Sequence, residues 1–346
     1  MKKFSLIISL TFILVLCVIQ CKKDDNIIQN NNWKTIYQNN DLYLYSLNFL
    51  DKDIGFVMAD SSGVHGISGW KFVLSTIDGG NTWNPVTCSS NDNLNKFPLN
   101  DIGYVYPISK NVLLTTGYQV HKSNDTGKTW INVSPQLVGA SIDNLYVIDS
   151  LTWLVAEGNH ILKTNNGGQT WETVFQTDFI GTFEHFSFPS LNIGYINFGV
   201  VDWDHNATAG HILKTNNGGQ TWTIMNPEPW KSNGIPIPYL VAMQFTSEMI
   251  GYISTIGDSK LYKTTDGGDN WMLITNINKT NGLEYFITEN SGYCSDGNAI
   301  YFTNDGGKTW KIDYYNGAAN SDILTWTFLK TGEGYALTRD HRIIKK

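Results

Sequence analysis

Arginine is nearly missing from this sequence: Arg339 and Arg342, both near the C-terminal end, are the only two among 346 residues. Lysine does not compensate, because all basic residues together number 24 against 31 acidic ones, a net charge of −7. A chain with that balance has no basic patch to set against phosphates, and nucleic acid is not expected as a partner. Cysteine is scarce as well. Cys17, Cys21, Cys88 and Cys294 are the complete set, so no disulfide framework is expected, and Cys88 and Cys294 read as buried free thiols in different sheets. No stretch keeps a sustained helical period, which removes helical architectures. The one long apolar run, Phe4 to Ile19, is short for a membrane-spanning helix, which needs about 20 residues.

That run follows Lys2 and Lys3 and ends at Cys21, so residues 1–20 read as a secretory signal. Val18-Ile19-Gln20-Cys21 resembles a bacterial lipobox, whose cysteine is lipidated after cleavage, and Cys21-Lys22-Lys23-Asp24-Asp25 resembles the acidic export signal of bacterial surface lipoproteins. Residues 21–32 are polar and rich in asparagine, a composition that suits a flexible tether. Removing a leader that carries two of the 24 basic residues leaves 22 against 31 acidic ones, a balance of −9. The expected location is the bacterial outer membrane or cell surface, with the membrane met through the lipid anchor only.

What the sequence has in quantity is a repeat. Six ungapped copies of one pattern begin at Thr76, Ser123, Thr164, Thr215, Thr264 and Thr303 and end at Trp83, Trp130, Trp171, Trp222, Trp271 and Trp310. The pattern is Ser or Thr, any residue, Asp or Asn, any residue, Gly, any residue, Thr or Asn, Trp, at intervals of 39 to 51 residues. Its Asp or Asn accepts hydrogen bonds from nearby backbone N–H groups and holds a tight turn, while Gly supplies positive φ. The Trp caps the turn. Burying about 150–250 Å² of it gains at most about 4–6 kcal/mol at about 25 cal/mol/Å². Asn166 and Asn217 stand where other copies have Asp78, Asp125, Asp266 and Asp305. Asn keeps the acceptor and loses the charge, so these positions read as turn clips, not as catalytic or metal-binding carboxylates.

A second signal precedes each turn: an aromatic, five residues, Gly or Thr, then another aromatic. Phe49 with Gly55-Phe56, Tyr146 with Thr152-Trp153, Phe188 with Gly194-Tyr195, Phe245 with Gly251-Tyr252, Phe286 with Gly292-Tyr293 and Phe328 with Gly334-Tyr335 carry it. Around Trp130 the spacing from the turn makes Tyr104-Val105-Tyr106 the equivalent first strand. Short alternating segments rich in aromatic and β-branched residues are strand chemistry, four strands per unit. There are seven upstream units and six turn motifs. The last unit stops after its third strand at Lys346, and Trp33 to Tyr37 looks like the missing fourth.

These residues place the chain close to a known repeat. The eight-residue pattern resembles the Asp-box, or BNR repeat, of sialidases, propeller endoglucanases, sortilin-type receptors and propellers of the photosystem II assembly and stability factor type. The resemblance implies an all-β fold, a seven-bladed β-propeller of four-stranded antiparallel blades over residues 33–346, closed by the N-terminal strand. Size and blade count are most similar to the assembly-factor type. That family uses an arginine-rich face to engage its partner, and this chain has none, so the resemblance carries architecture and a propensity to bind but leaves the partner open.

Antiparallel order puts the first-to-second and third-to-fourth turns, Asp-boxes included, on one face of the disc. The longer segments, 61–70, 89–101, 201–210 and 227–238, fall on the opposite face, where a rigid scaffold would present binding residues. Trp70, Trp203 and Trp230 in them have no equivalents in other blades and are candidates for stacking on a sugar or anchoring a protein contact, or for packing their own loops down. Asp202, Asp204 and His205 form a candidate polar cluster that reads equally as a solvated loop. His160 and His211 occupy matching positions and are expected to pack, Glu184-His185 is placed just before a first strand, and Trp153 and Trp326 are expected in the core.

Catalysis is not favoured. The sialidase resemblance would require three arginines, and a glycosidase needs two carboxyls about 5–10 Å apart; Asp202, Asp204 and Glu228 are candidates that nothing in the sequence pairs. No cofactor or metal is expected. The expectation is a monomeric, non-enzymatic envelope scaffold that binds a protein. Glycan binding, or glycan cleavage through the loops opposite the Asp-boxes, remains open.

Overall fold

The computed structural model describes residues 32–61, 71–86, 102–136, 142, 144–178, 181–201, 207–225, 240–255, 260–276, 284–315 and 322–346. Among them are 28 strands and no helix, arranged as seven four-stranded antiparallel sheets. β1 (Lys34–Gln38) comes first. Blade 1 holds β2 (Tyr43–Phe49), β3 (Gly55–Asp60), β4 (Lys71–Thr76) and β5 (Asn84–Pro85), and blade 2 holds β6 (Ile102–Pro107), β7 (Leu113–Gly117), β8 (His121–Ser123) and β9 (Ile131–Asn132). Blade 3 holds β10 (Asn144–Val147), β11 (Trp153–Glu157), β12 (His160–Thr164) and β13 (Glu172–Gln176). Blade 4 holds β14 (Gly181–Ser187), β15 (Gly194–Val201), β16 (Ala207–Thr215) and β17 (Thr223–Met225). Blade 5 holds β18 (Leu240–Phe245), β19 (Gly251–Thr255), β20 (Lys260–Thr264) and β21 (Met272–Asn276). Blade 6 holds β22 (Glu284–Phe286), β23 (Gly292–Ser295), β24 (Ala299–Thr303) and β25 (Lys311–Tyr315). Blade 7 holds β26 (Ile323–Phe328), β27 (Gly334–Thr338), β28 (Arg342–Lys345) and β1. The seven-bladed, all-β propeller read from the repeats is the fold.

The aromatic–Gly signature has a double purpose. The first-strand ring lies flat on its own blade's Gly: a Cβ on Gly55, Gly251 or Gly292 would sit 2.6, 2.7 and 2.6 Å from the rings of Phe49, Phe245 and Phe286. The same ring stacks on the preceding blade's second-strand tyrosine, Phe49 on Tyr335, Phe245 on Tyr195 and Phe286 on Tyr252, each at 3.5 Å. The tyrosine hydroxyl then reaches forward into the next blade, Tyr335 to the Lys52 carbonyl at 3.1 Å and Tyr195 to the Gly267 carbonyl at 3.0 Å. A lysine closes the clasp from above. Lys214 lies over Tyr195 at 5.3 Å and donates to the Gly267 carbonyl at 3.2 Å, and Lys345 lies over Tyr335 at 5.0 Å and donates to the Gly79 carbonyl at 3.4 Å. Stacking and cation–π contacts contribute about 0.5–1.5 kcal/mol each beyond area burial, so each blade is stabilised mainly by its neighbours.

The first and last strands meet in blade 7. β1 pairs antiparallel with β28, Lys34 opposite Lys345 and Gln38 opposite Arg342. Trp33, 2% exposed, packs edge-on against Tyr293 of blade 6 and Phe328 of its own blade. In blades 2 and 5 the corresponding indole N–H bonds the box glycine, Trp130 to the Gly127 carbonyl at 2.9 Å and Trp271 to the Gly268 carbonyl at 3.1 Å. Blade 7 has no box between its third and fourth strands, β28 and β1. There the Trp33 indole donates instead to Asp313 of β25 at 2.8 Å, and Lys346 pairs with the same carboxylate oxygen at 2.6 Å. Asp313 occupies a bulge of β25, between the pairs Ile300–Tyr314 and Tyr301–Ile312. Ile36, Val174 and Ile274 occupy the equivalent bulges of β1, β13 and β21. These bulges interrupt the outer ladders, a device that keeps exposed edges from recruiting other strands.

Candidate binding site

The anchor cysteine, one of the two other expected free thiols and the loop candidates lie outside the described residues: Cys21, Cys88, Trp70, Asp202, Trp203, Asp204, His205, Glu228 and Trp230. Others differ from expectation. Glu184 and His185 are inside β14, not ahead of it, and β15 and β16 extend through Val201 and back to Ala207, so the hairpin of blade 4 is longer and its loop shorter than read. Trp153 is fully buried, whereas Trp326 is half-buried because it stands on the innermost strand of blade 7. Cys294 is a free, buried thiol, which burial first and then Glu284 and Asp296 hold protonated.

The Asp-boxes are self-contained. Asp78 Oδ1 accepts from the Thr76 hydroxyl at 2.8 Å and the Thr82 N–H at 2.9 Å, and its Oδ2 accepts from the Thr82 hydroxyl at 2.7 Å. Where Asn166 replaces Asp, Oδ1 keeps the same two bonds, at 2.9 Å each, and Nδ2 donates to the Thr170 hydroxyl at 2.8 Å. A threonine hydroxyl both donates and accepts, so it serves either side chain, and the charge is dispensable. The Thr82 hydroxyl first, then its N–H and the Thr76 hydroxyl, hold Asp78 down at about 2. The first glycine position bonds back to the first-to-second turn, Gly79 N–H to the Asp53 carbonyl and Gly306 N–H to the Asn290 carbonyl, both at 2.9 Å, which places both sets of turns on one face.

The first strands of neighbouring blades lie against one another and wall the axis. Polar side chains staple them. Asn48 Nδ2 donates to the Val105 carbonyl at 2.8 Å, the Ser187 hydroxyl accepts from the Phe245 N–H at 2.8 Å, and Gln244 both donates to the Phe286 carbonyl at 2.9 Å and accepts from its N–H at 2.6 Å. Five of these strands, β2, β6, β14, β18 and β26, carry a bulge near their beginnings. In blade 4 the bulge presents Glu184 and His185 opposite the fully buried Asn197, whose Oδ1 accepts from the His185 N–H at 2.9 Å and whose Nδ2 donates to Glu184 at 3.1 Å. Burial raises Glu184 to about 7, the Asn197 bond opposing only weakly, and burial lowers His185. Bulges that re-aim a titratable side chain recur beside functional sites, and sequence reading missed this one because its acceptor comes from another strand.

The opposite end of the axial wall, on the Asp-box face, opens into a cavity of about 410 Å³ between blades 1, 2 and 3. Asn48, Phe49, Leu50, Tyr106, Pro107, Leu145, Tyr146 and Val147 line it. The tyrosines are fixed from behind: Tyr146 stacks on Phe188 at 4.9 Å, and Tyr106 bonds Thr116. Burial raises both phenols; for Tyr146 the Tyr285 hydroxyl, within electrostatic reach across the axis, adds to it. The cavity volume is that of a small-molecule or side-chain pocket. The face opposite the Asp-boxes displays aromatics that carry no sequence signature: Tyr43, Tyr104 and Tyr118 are 42, 55 and 69% exposed. Both arginines stand on that side of the disc beside aspartates, Arg339 with Asp322 at 3.1 Å and Arg342 with Asp340 at 2.8 Å. Among the described residues no three His, Cys, Asp or Glu side chains group as a metal site.

The family model described as Photosynthesis system II assembly factor YCF48 matches residues 25–188. No curated protein matches the sequence. A solved structure described as YCF48 bound to D1 peptide superposes with a TM-score of 0.65 at 19% identity, over 91% of this chain and 96% of that one. YCF48 from Cyanidioschyzon merolae superposes with a TM-score of 0.63 at 18% identity, over 90% and 98%. The GH74 xyloglucanase from Xanthomonas campestris superposes with a TM-score of 0.59 at 13% identity, over 89% of this chain and 60% of that one. At these identities structural likeness speaks for the fold. In motif, blade count and fold the chain resembles the photosystem II assembly-factor type of Asp-box propeller.

Proposed function

We propose that this chain is a bacterial envelope lipoprotein, held through Cys21, whose propeller binds a segment of another protein and catalyses nothing. The observation that carries the reading is the likeness, over nearly the whole of both chains, to an assembly-factor propeller described as bound to a peptide. The chemistry of the ring agrees with it. The Asp-box carboxylates are consumed by their own turns, and the two arginines stand beside aspartates instead of converging on the axis. The anchor reading comes from the leader and lipobox in residues 1–21. With a balance of −9 after cleavage, the partner is neutral or basic on the surface it presents.

Two experiments test it. Labelling of cells with a fatty-acid analogue should mark the wild-type chain and leave Cys21→Ser unmarked. A partner identified by crosslinking in the envelope should rebind when both proteins are purified. Glycan binding is the second reading, favoured by the exposed Tyr43, Tyr104 and Tyr118 on the face opposite the Asp-boxes. Alanine at Trp70, Trp203 and Trp230 distinguishes that surface: loss of glycan binding with an unchanged thermal midpoint would establish it. Hydrolysis of any member of a glycan panel, abolished by Glu184→Gln, would overturn the non-enzymatic reading, because Glu184 has the raised pKa of a general acid.

A further inference from the structure

We infer that the cavity between blades 1, 2 and 3, on the Asp-box face, is the seat for a short, uncharged, apolar stretch of the partner polypeptide. This deepens the protein-binding reading and rests on it. Among the described residues the wall contains no charged side chain, in a chain where charged residues are 16% of the total. A charged ligand group would lose its water there and gain no counter-charge. Leu50, Pro107, Leu145 and Val147 supply apolar surface, and the rings of Tyr106 and Tyr146 stand between them. The Tyr106 hydroxyl bonds Thr116, and the Phe188 N–H donates to the Tyr146 hydroxyl. Neither phenol is therefore poised for the dense polar contacts a sugar requires.

One polar group does face a ligand. Asn48 spends one amide hydrogen on the Val105 carbonyl. Its other hydrogen and its oxygen meet no hydrogen-bonding partner among the described residues. A donor and an acceptor side by side match the N–H and C=O of an extended backbone. At about 410 Å³ the cavity holds two or three apolar side chains at the packing density of a protein interior. The frame is rigid, because Tyr146 stacks on Phe188 and Phe49 on Tyr335, so little is lost in ordering it.

The test uses the full-length chain in detergent and fluorescein-labelled decapeptides built from Leu, Val and Pro spaced by Gly and Ser. Matched decapeptides carry Lys or Asp in place of the central apolar residue, and xyloglucan oligosaccharides form a separate arm. Anisotropy should show saturable binding of the apolar decapeptides, weakened at least tenfold by either central charge. Val147→Lys and Pro107→Glu should each weaken binding at least tenfold while keeping the wild-type thermal midpoint. Met249→Ser, exposed on the same face of blade 5, should leave it unchanged. Two wall variants guard against one failing to fold. Apolar decapeptides that bind no better than charged ones, or that bind both folded wall variants at wild-type affinity, overturn the inference. Crosslinks from an identified envelope partner that map to the face opposite the Asp-boxes overturn the cavity and leave the scaffold reading intact. Oligosaccharide binding with no peptide binding overturns both.

Discussion

Asp313 holds Trp33, which leads into β1, and Lys346, which follows β28, and its removal should open the ring at one place. Its side chain is 10% exposed and that of Lys346 23%, with 2.6 Å between the charges and a second bond, from the Trp33 indole, at 2.8 Å. Asp313→Ala strands a largely buried ammonium and a buried indole N–H. Breaking a buried ion pair from one side costs about 3–5 kcal/mol. An unsatisfied donor adds about 1–3 kcal/mol, but the two share one oxygen and are not additive, so about 3–5 kcal/mol is expected. Asp313→Asn keeps an acceptor for Trp33 and loses the charge, and about 1–3 kcal/mol is expected. Lys52→Ala supplies the contrast: its pair with Asp53 is also short, 2.7 Å, yet the side chains are 67% and 52% exposed, so solvent screens the pair and no measurable loss is expected. Urea unfolding gives the global numbers and hydrogen exchange locates the loss. Amides of β1 and β28 should exchange faster in Asp313→Ala before those of blades 2 to 4 change. A loss under about 1 kcal/mol, or faster exchange spread evenly over all blades, would refute the latch.

Three further outcomes follow from individual residues. Thr126 adopts φ 65° at the box position where other copies have glycine; left-handed backbone costs a side chain about 1–2 kcal/mol, so Thr126→Gly should raise stability by about 1 kcal/mol in urea unfolding, after the entropy of the added glycine is subtracted. Gly251→Ala would put a Cβ 2.7 Å from the Phe245 ring, which itself lies 3.5 Å from Tyr195, and overpacking at such a site should cost about 1–3 kcal/mol, with near-UV dichroism reporting the disturbed stack. The folded pKa values of Asp78 and Asp305, about 2 in place of 3.8, lie below the unfolded value. Their support is therefore complete above about pH 3.8 and is lost as pH falls toward 2. Asp78→Asn with Asp305→Asn should flatten the acid limb of the stability–pH curve between those values, by lowering neutral stability toward the level that wild type reaches in acid. An acid limb identical to wild type would contradict the assignment.

The fold was legible because its determinants are local and repeated. Six boxes reported the hairpins, and Trp33, separated from any box, reported the strand that completes blade 7. The aromatic–Gly spacing was visible, but not its purpose, since the ring on Phe49 serves Gly55 in its own blade and Tyr335 in the one before it. The candidate surface was less legible. Glu184 looked like a residue ahead of a strand because nothing near it in sequence marks the bulge, which Asn197 fixes from the adjoining strand. The cavity draws on three blades, Asn48 being nearly 100 residues from Val147, and no one segment carries its signature.

By itself the sequence determined what short-range chemistry can specify: turns clipped by Asp or Asn, strands of period two, the number of blades and the place of closure. Tertiary structure decided everything that depends on which surfaces meet. It put a lysine, a tyrosine and the next blade's turn into one clasp, gave Asp313 to Trp33 in place of a missing box, buried Glu184, and left uncharged side chains of three blades around one opening. The physical reason is range. A turn is fixed by hydrogen bonds within about four residues, whereas burial, pKa and cavity shape are sums over neighbours that the ring closure alone brings together.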